Sequence, residues 1–207
     1  MKKLLLTSEG LTSEVIKKEF LRLLRCPIKQ ARVAFISTAA NVEKDQSWVK
    51  EDIKEIKDLG IDELEEIDIS KITGRKLEKK LKDKDVVWLN GGNTFYLLYW
   101  IKKSGLDKFL PKLLEKGVLH VGVSAGSIVA GPDIDLCYLK GFDDPSVVKL
   151  KNTKSLNFVP FTIFPHYEPK WKKVIEKSKD KLPKKLAFLT DNQAVVVEGK
   201  KYKTIGK

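Results

Sequence analysis

The stretch 120-HVGVSAGSIVAGP-132 decides how this chain is read. An apolar run reaches Ser124, which stands between Gly122 and Gly126, and the pattern then becomes helix-like. The run G-V-S-A-G matches the small-x-Ser-x-small pattern of a nucleophile elbow. A sharp strand-to-helix turn strains the backbone at the serine and pushes its side chain out of the sheet. Neighbours two residues to either side come close to each other, so they must be small. The helix that follows directs its free N–H groups and positive dipole end at the serine. The Ala125 N–H is then placed to hold a developing oxyanion. Two plainer readings compete: a helix N-cap serine in a glycine-rich turn, and a phosphate-cradling turn, for which no Walker-type lysine follows.

The chain around this elbow alternates short apolar runs with helical patterns. Strands are expected at 3–8, 31–38, 64–69, 85–91, 119–125, 161–165 and 186–190, with a closing hairpin over 193–205 that turns near Glu198-Gly199. Helices are expected at 13–24, 45–59, 94–103 and 106–116. Ser13 caps the first, with Val15, Ile16, Phe20, Leu23 and Leu24 on one face, and Gly117 stops the last. Such alternation implies right-handed crossovers and an α/β fold, a mainly parallel sheet flanked by helices. No repeat, linker or low-complexity segment divides the chain, so residues 1–207 are expected to form a single domain. The loop 131–146 is the least regular stretch and reads as a surface excursion beside a site. The aromatic run 95-FYLLYW-100 reads as core.

The chain has 207 residues, 42% of them hydrophobic, a globular composition. Its 40 Lys+Arg against 28 Asp+Glu leave a net charge of +12. Most lysines alternate with acids, as in 50-KEDIKEIKD-58 and 76-KLEKKLKDKD-85, which reads as solvated helix faces. The acid-poor basic stretches are 170-KWKK-173, 181-KLPKK-185 and 200-KKYKTIGK-207. No nucleic-acid-reading motif accompanies them, so no nucleic-acid partner is expected. Cys26 and Cys137 have no metal-like or redox spacing. No run approaches the ~20 apolar residues of a transmembrane helix. The expectation is a cytoplasmic protein with no membrane partner, no metal and no cofactor.

A serine hydroxyl needs a base. Of the two histidines, His120 lies inside the strand leading to the elbow and reads as structural. His166 follows an apolar run between Pro165 and Pro169, at a strand end, and is the base candidate. The base needs an acid to fix its tautomer. Asp191, just past 186-LAFLT-190, is favoured; Asp133 and Asp135 compete, and Glu168 is weaker. The strand 85-DVVWLNG-91 runs into Gly91-Gly92-Asn93, where glycine lets the backbone approach a substrate. Gly92 N–H is the candidate second oxyanion donor.

The strand ending in Gly-Gly-Asn-Thr, the elbow Gly-Val-Ser-Ala-Gly-Ser, the Pro-His pair and the final Asp-Asn-Gln-Ala together resemble the peptidase E family. These are serine peptidases of the S51 type, alpha-aspartyl dipeptidases and their cyanophycinase relatives. The resemblance runs from about residue 3 to the end. It implies a class I glutamine amidotransferase-like, flavodoxin-like three-layer fold. It also implies a catalytic triad of Ser124, His166 and Asp191, an oxyanion hole at Gly92 and Ala125, and Asn93 in substrate binding. The dipeptidases typically place a glutamate where this chain has Asp191. The implied activity is hydrolysis of small peptides through an acyl-enzyme, by a monomer or homodimer. The alternative is a non-catalytic small-molecule-binding α/β module. Peptidase E proper needs a cation for an N-terminal aspartate, yet Arg22, Arg25, Arg32 and Arg75 all lie upstream of the site motifs. Lys170, Lys172 and Lys173 are the substitutes the sequence offers.

Overall fold

Alternating side chains of the central strands feed two separate apolar layers, and this alternation builds the fold. The computed structural model describes residues 1–178, 180 and 182–207; Lys181 of the basic stretch 181–185 lies outside them. In chain order the main elements are β1 (Lys3–Thr7), α1 (Glu14–Leu23), β2 (Arg32–Ile36), α2 (Ser47–Asp58), β3 (Glu63–Ile67), α3 (Gly74–Leu81), β4 (Val86–Leu89), α4 (Thr94–Ser104), α5 (Leu106–Glu115) and β5 (Leu119–Val123). There follow α6 (Ala125–Ile128), β6 (Thr162–Phe164), α7 (Trp171–Lys177), β7 (Leu186–Phe188), β8 (Gln193–Glu198) and β9 (Lys201–Gly206).

Seven strands form one sheet in the order β3-β2-β4-β5-β1-β8-β9. The first five are parallel, and β8 and β9 are antiparallel additions beside β1. Leu5, Val33, Phe35, Trp88 and Val121 point to one face, where Ile16 and Phe20 of α1 and Val49 and Ile56 of α2 cover them. Leu4, Leu6, Ala34, Val87 and Leu89 point to the other, under α4, α5 and α6. A sheet buried on both faces is the arrangement that βαβ crossovers produce. The architecture is the three-layer α/β fold expected from the sequence.

Local chemistry sets the boundaries. Ser13 accepts a hydrogen bond from Ile16 N–H and starts α1. Asn93 does the same for α4 through Tyr96 N–H. Gly105, at φ +83°, separates α4 from α5, and Gly117, at φ +85°, follows α5.

Three expectations are corrected. Val15 is 49% exposed, not on the apolar face; Ile16, Phe20 and Leu23 carry the burial of α1. The loop 131–146 is not simply a surface excursion, because Ile134, Leu136 and Cys137 are fully buried in the core. The strands expected at 161–165 and 186–190 do not join the main sheet. As β6 and β7 they pair in parallel with each other, and they pack on the α4–α6 face through Ile163, Phe164 and the partly buried Leu186.

Candidate active site

The registers bring distant segments to one edge. Leu89 of β4 lies opposite Gly122 of β5, Thr7 of β1 opposite Val123, and Thr7 also opposite Ala194 of β8. The carboxyl ends of β1, β4 and β5 therefore meet the start of β8.

Ser124 follows β5 directly. Its backbone is at φ 48°, ψ −109°, a region that a side chain strongly disfavours. The surroundings hold it there. Ser124 N–H donates to Thr7 O at 3.2 Å, and the N–H groups of Ser127 and Ile128 donate to Ser124 O. Ser127 Oγ lies 2.7 Å from the carbonyl oxygens of both Thr7 and Gly122; its single proton serves one at a time. The flanking glycines are required by space. A Cβ at Gly122 would stand 2.5 Å from Gly126 O, and one at Gly126 only 2.0 Å from Leu89 O.

The loop after β4 reaches the same point. A Cβ at Gly91 would be 3.4 Å from Ser124 Cβ. Gly92, at φ +124°, rests on the turn after β2, where a Cβ would meet Ala39 O at 2.4 Å. The N–H groups of Gly92 and Ala125 donate to no acceptor among the described residues. Asn93 is almost fully buried and both ends of its amide are engaged: Oδ1 accepts from Tyr96 N–H, and Nδ2 donates to Asp144 O at 3.1 Å.

His166 emerges from β6, in the small second sheet, with φ 52°. Its Nε2 is 3.0 Å from Ser124 Oγ and its Nδ1 is 2.6 Å from Asp191 Oδ1. Asp191 lies in the turn entering β8, where Thr12 Oγ1 donates to its backbone carbonyl at 2.8 Å. The competing acids are occupied elsewhere. Asp133 Oδ1 accepts from Asp135 N–H, Glu168 pairs with Lys170, and none of the three is hydrogen-bonded to His166. His120 is fully buried with Nδ1 against Val87 O, and burial pushes its pKa down to about 4, against that hydrogen bond. One partner of the site was not anticipated: Ser8, just past β1, is hydrogen-bonded to both Asp191 and His166 N–H.

Ser124 and His166 open into a cleft of about 1600 Å³ between the sheet edge, α1 and α2. Ten carboxylate residues and four lysines line it, among them Glu9, Glu43, Asp52 and Asp143. Burial raises the Glu9 carboxyl, and the nearby Asp191 charge adds to it. Burial likewise raises Asp143, although Thr94 hydrogen-bonds it, and Glu43, beside Asp143 and Asp144. Asp52 is pushed up to about 6 by burial, with Glu55, Glu51 and Glu9 adding repulsion against the Asn90 hydrogen bond. These acids carried no motif, so sequence spacing did not reveal them. Lys172 and Lys173 are exposed on α7 and do not line the cleft; Lys170 is tied to Glu168. Arg22 pairs with Glu198, and Arg25 and Arg32 with Asp85, at the other end of the strands. Among the described residues, no three His, Cys, Asp or Glu side chains are grouped so as to hold a metal ion.

An α/β sheet with a strained serine at its strand–helix elbow and an imidazole–carboxylate pair beside it defines a serine hydrolase. The chain belongs to peptidase family S51, whose family model matches residues 4–205, and it is a serine peptidase of that type. It is 32% identical over 172 residues to an uncharacterised peptidase of Listeria monocytogenes, covering 81% of this chain and 82% of that protein. It is 31% identical to a peptidase E of Nostoc sp., covering 80% of this chain and 66% of that protein. A solved structure of a candidate peptidase E from Listeria monocytogenes EGD-e superposes with a TM-score of 0.85 at 29% identity, covering 100% of this chain and 99% of that one. No helix among the described residues is long and apolar enough to cross a membrane.

Proposed function

We propose that the protein is a dipeptidase-like enzyme that cleaves small peptides through a Ser124 acyl-enzyme. The observation that carries this reading is the continuous chain from Ser124 Oγ to His166 Nε2 (3.0 Å) and from His166 Nδ1 to Asp191 Oδ1 (2.6 Å). His166 takes the proton from Ser124 as the hydroxyl attacks the scissile carbonyl. Asp191 holds the imidazole with Nδ1 as donor and stabilises the imidazolium. The free N–H groups of Ala125 and Gly92 receive the oxyanion. His166 then protonates the departing amine, and water, deprotonated by the same imidazole, releases the acyl group. The matches to peptidase E relatives support the dipeptide scale. Asn93, whose amide donates to Asp144 O and accepts from Tyr96 N–H, contributes by shaping the cleft wall and keeps its second Nδ2 hydrogen for substrate.

The cleft supports a substrate of particular charge. On a chain of net charge +12, the walls around the nucleophile carry ten carboxylates against four lysines, and two of those lysines are already paired, Lys17 with Glu55 and Lys54 with Asp58. The charges favour peptides with a free ammonium group and neutral or basic side chains over those beginning with aspartate.

Ser124→Ala is expected to keep the thermal unfolding midpoint of the parent. It is also expected to lose both peptide hydrolysis and labelling by a serine-directed fluorophosphonate. Hydrolysis at the parent rate by that variant would refute the acyl-enzyme. A panel of dipeptides varied at the amino-terminal residue measures the preference.

A further inference from the structure

We propose that Ser8 is a positioning residue of this reaction, locking the backbone of His166 and the carboxylate of Asp191 to one another through a single buried hydroxyl. The inference rests on the triad reading above and concerns a residue outside it.

Ser8 is fully buried where β1 ends. Its Oγ donates to Asp191 Oδ1 at 3.0 Å and accepts from His166 N–H at 2.8 Å. Asp191 Oδ1 is the same oxygen that faces His166 Nδ1 at 2.6 Å. The three residues thus close a ring: hydroxyl to carboxylate, carboxylate to imidazole, and the imidazole's own backbone N–H back to the hydroxyl. They come from three places, the end of β1, the exit from β6 and the turn before β8. β6 belongs to a different sheet from β1 and β8; its pairing with β7, continued by Tyr167 N–H to Leu189 O, brings the His166 segment beside the Asp191 turn but stops two residues short of Asp191.

Both clients need an anchor. His166 is held at φ 52°, a conformation a non-glycine residue keeps only under constraint. The Asp191 side chain is 47% exposed, and its turn is tethered through the main chain by Thr12, which leaves the carboxylate free to rotate. An aspartate has one methylene fewer than a glutamate, so its oxygen reaches the imidazole from one narrow set of side-chain angles. The Ser8 hydroxyl selects that set. A serine that only filled space in the core would be served by any carbonyl; this one spends its proton on the oxygen that orients the base.

The test compares Ser8→Ala with the parent on the best dipeptide of the panel. Ser8→Ala is expected to lower kcat about 10- to 100-fold with KM within about twofold, the pattern of misplacement rather than lost binding. Ser8→Cys keeps the shape of the side chain, slightly enlarged, with only a weak S–H donor, and is expected to show the same loss in milder form. A double-mutant cycle with Asp191→Ala, read as the rate of fluorophosphonate labelling of Ser124, isolates the mechanism. With Asp191 gone, removing the Ser8 hydroxyl is expected to cost clearly less than it does in the parent, because only its hold on the His166 backbone N–H is left to lose. An unchanged kcat in both Ser8 variants, or losses that multiply in full across the cycle, would overturn the proposal. Failure of the triad itself reads differently, as hydrolysis that survives Ser124→Ala.

Discussion

Among the described residues, two of the three non-glycine residues with positive φ are Ser124 and His166, the pair whose side chains meet. Strain at that level persists only where the surroundings over-determine the backbone. Here Thr7 O and the N–H groups of Ser127 and Ile128 hold one residue, and Ser8 Oγ holds the other. Asp52 shows a different kind of local cost. Its carboxyl titrates at about 6 in the folded protein because burial and the neighbouring acids disfavour its charge. In the unfolded chain it returns to roughly 3.9. The folded state therefore holds the proton more tightly. That contribution to stability is fully present below about pH 4 and is lost as pH rises through about 6. Asp52→Asn keeps an acceptor for Asn90 Nδ2 and removes the charge. It is expected to stabilise the protein at pH 7.5 by on the order of 1–2 kcal/mol, after allowing for screening by the open cleft. At pH 4 the gain should vanish. Urea unfolding at the two pH values measures the difference, and an equal gain at both would contradict the assignment.

At the scale of the element, the elbow is a packing problem solved by glycine. α6 has only four residues and leans on β4 so closely that a methyl at Gly126 would lie 2.0 Å from Leu89 O. A backbone carbonyl in a central strand has little room to retreat. Gly126→Ala is expected to cost about 1–3 kcal/mol, as overpacking does. It should also tilt α6 away from the sheet, carrying Ala125 N–H off the position the oxyanion requires. Chemical denaturation and fluorophosphonate labelling together check this: labelling should fall even at temperatures where the variant is fully folded. Retained labelling at the parent rate would show that α6 tolerates the shift.

At the scale of the molecule, charge is unevenly distributed. The surface is basic, as the net charge of +12 requires, while the cleft concentrates carboxylates, four of which burial has pushed toward the protonated form. A cleft of one sign focuses its field on what enters. For a dipeptide carrying a basic side chain, KM is expected to rise several-fold between about 0.02 and 0.5 M salt, as screening shortens the Debye length. For a neutral dipeptide it should change little. Steady-state kinetics across that range decides the matter, and equal salt dependence would remove the cleft's charge from the account of specificity.

Much of this was legible in the chain because it is encoded locally. Continuous apolar runs at Leu4–Leu6, Val33–Ile36 and Val86–Leu89 announced strands buried on both faces, and the hairpin over 193–205 and its turn followed from pattern alone. The glycines around Ser124 announced an elbow, since only close backbone approach demands them there. Sequence left the acid open among Asp191, Asp133 and Asp135. The register of β8 on β1 brought the Asp191 turn to Ser8, the pairing of β6 with β7 brought it to His166, and both depend on long-range strand order. The split of β6 and β7 from the main sheet, the closure of Ser8 onto two partners 158 and 183 residues away, and the convergence of acids from α2 and the loop 131–146 left no local trace. Periodicity and glycine placement report what a segment does with its own backbone. Which side chains meet across the sheet's edge is set by long-range packing, and only the folded chain decides it.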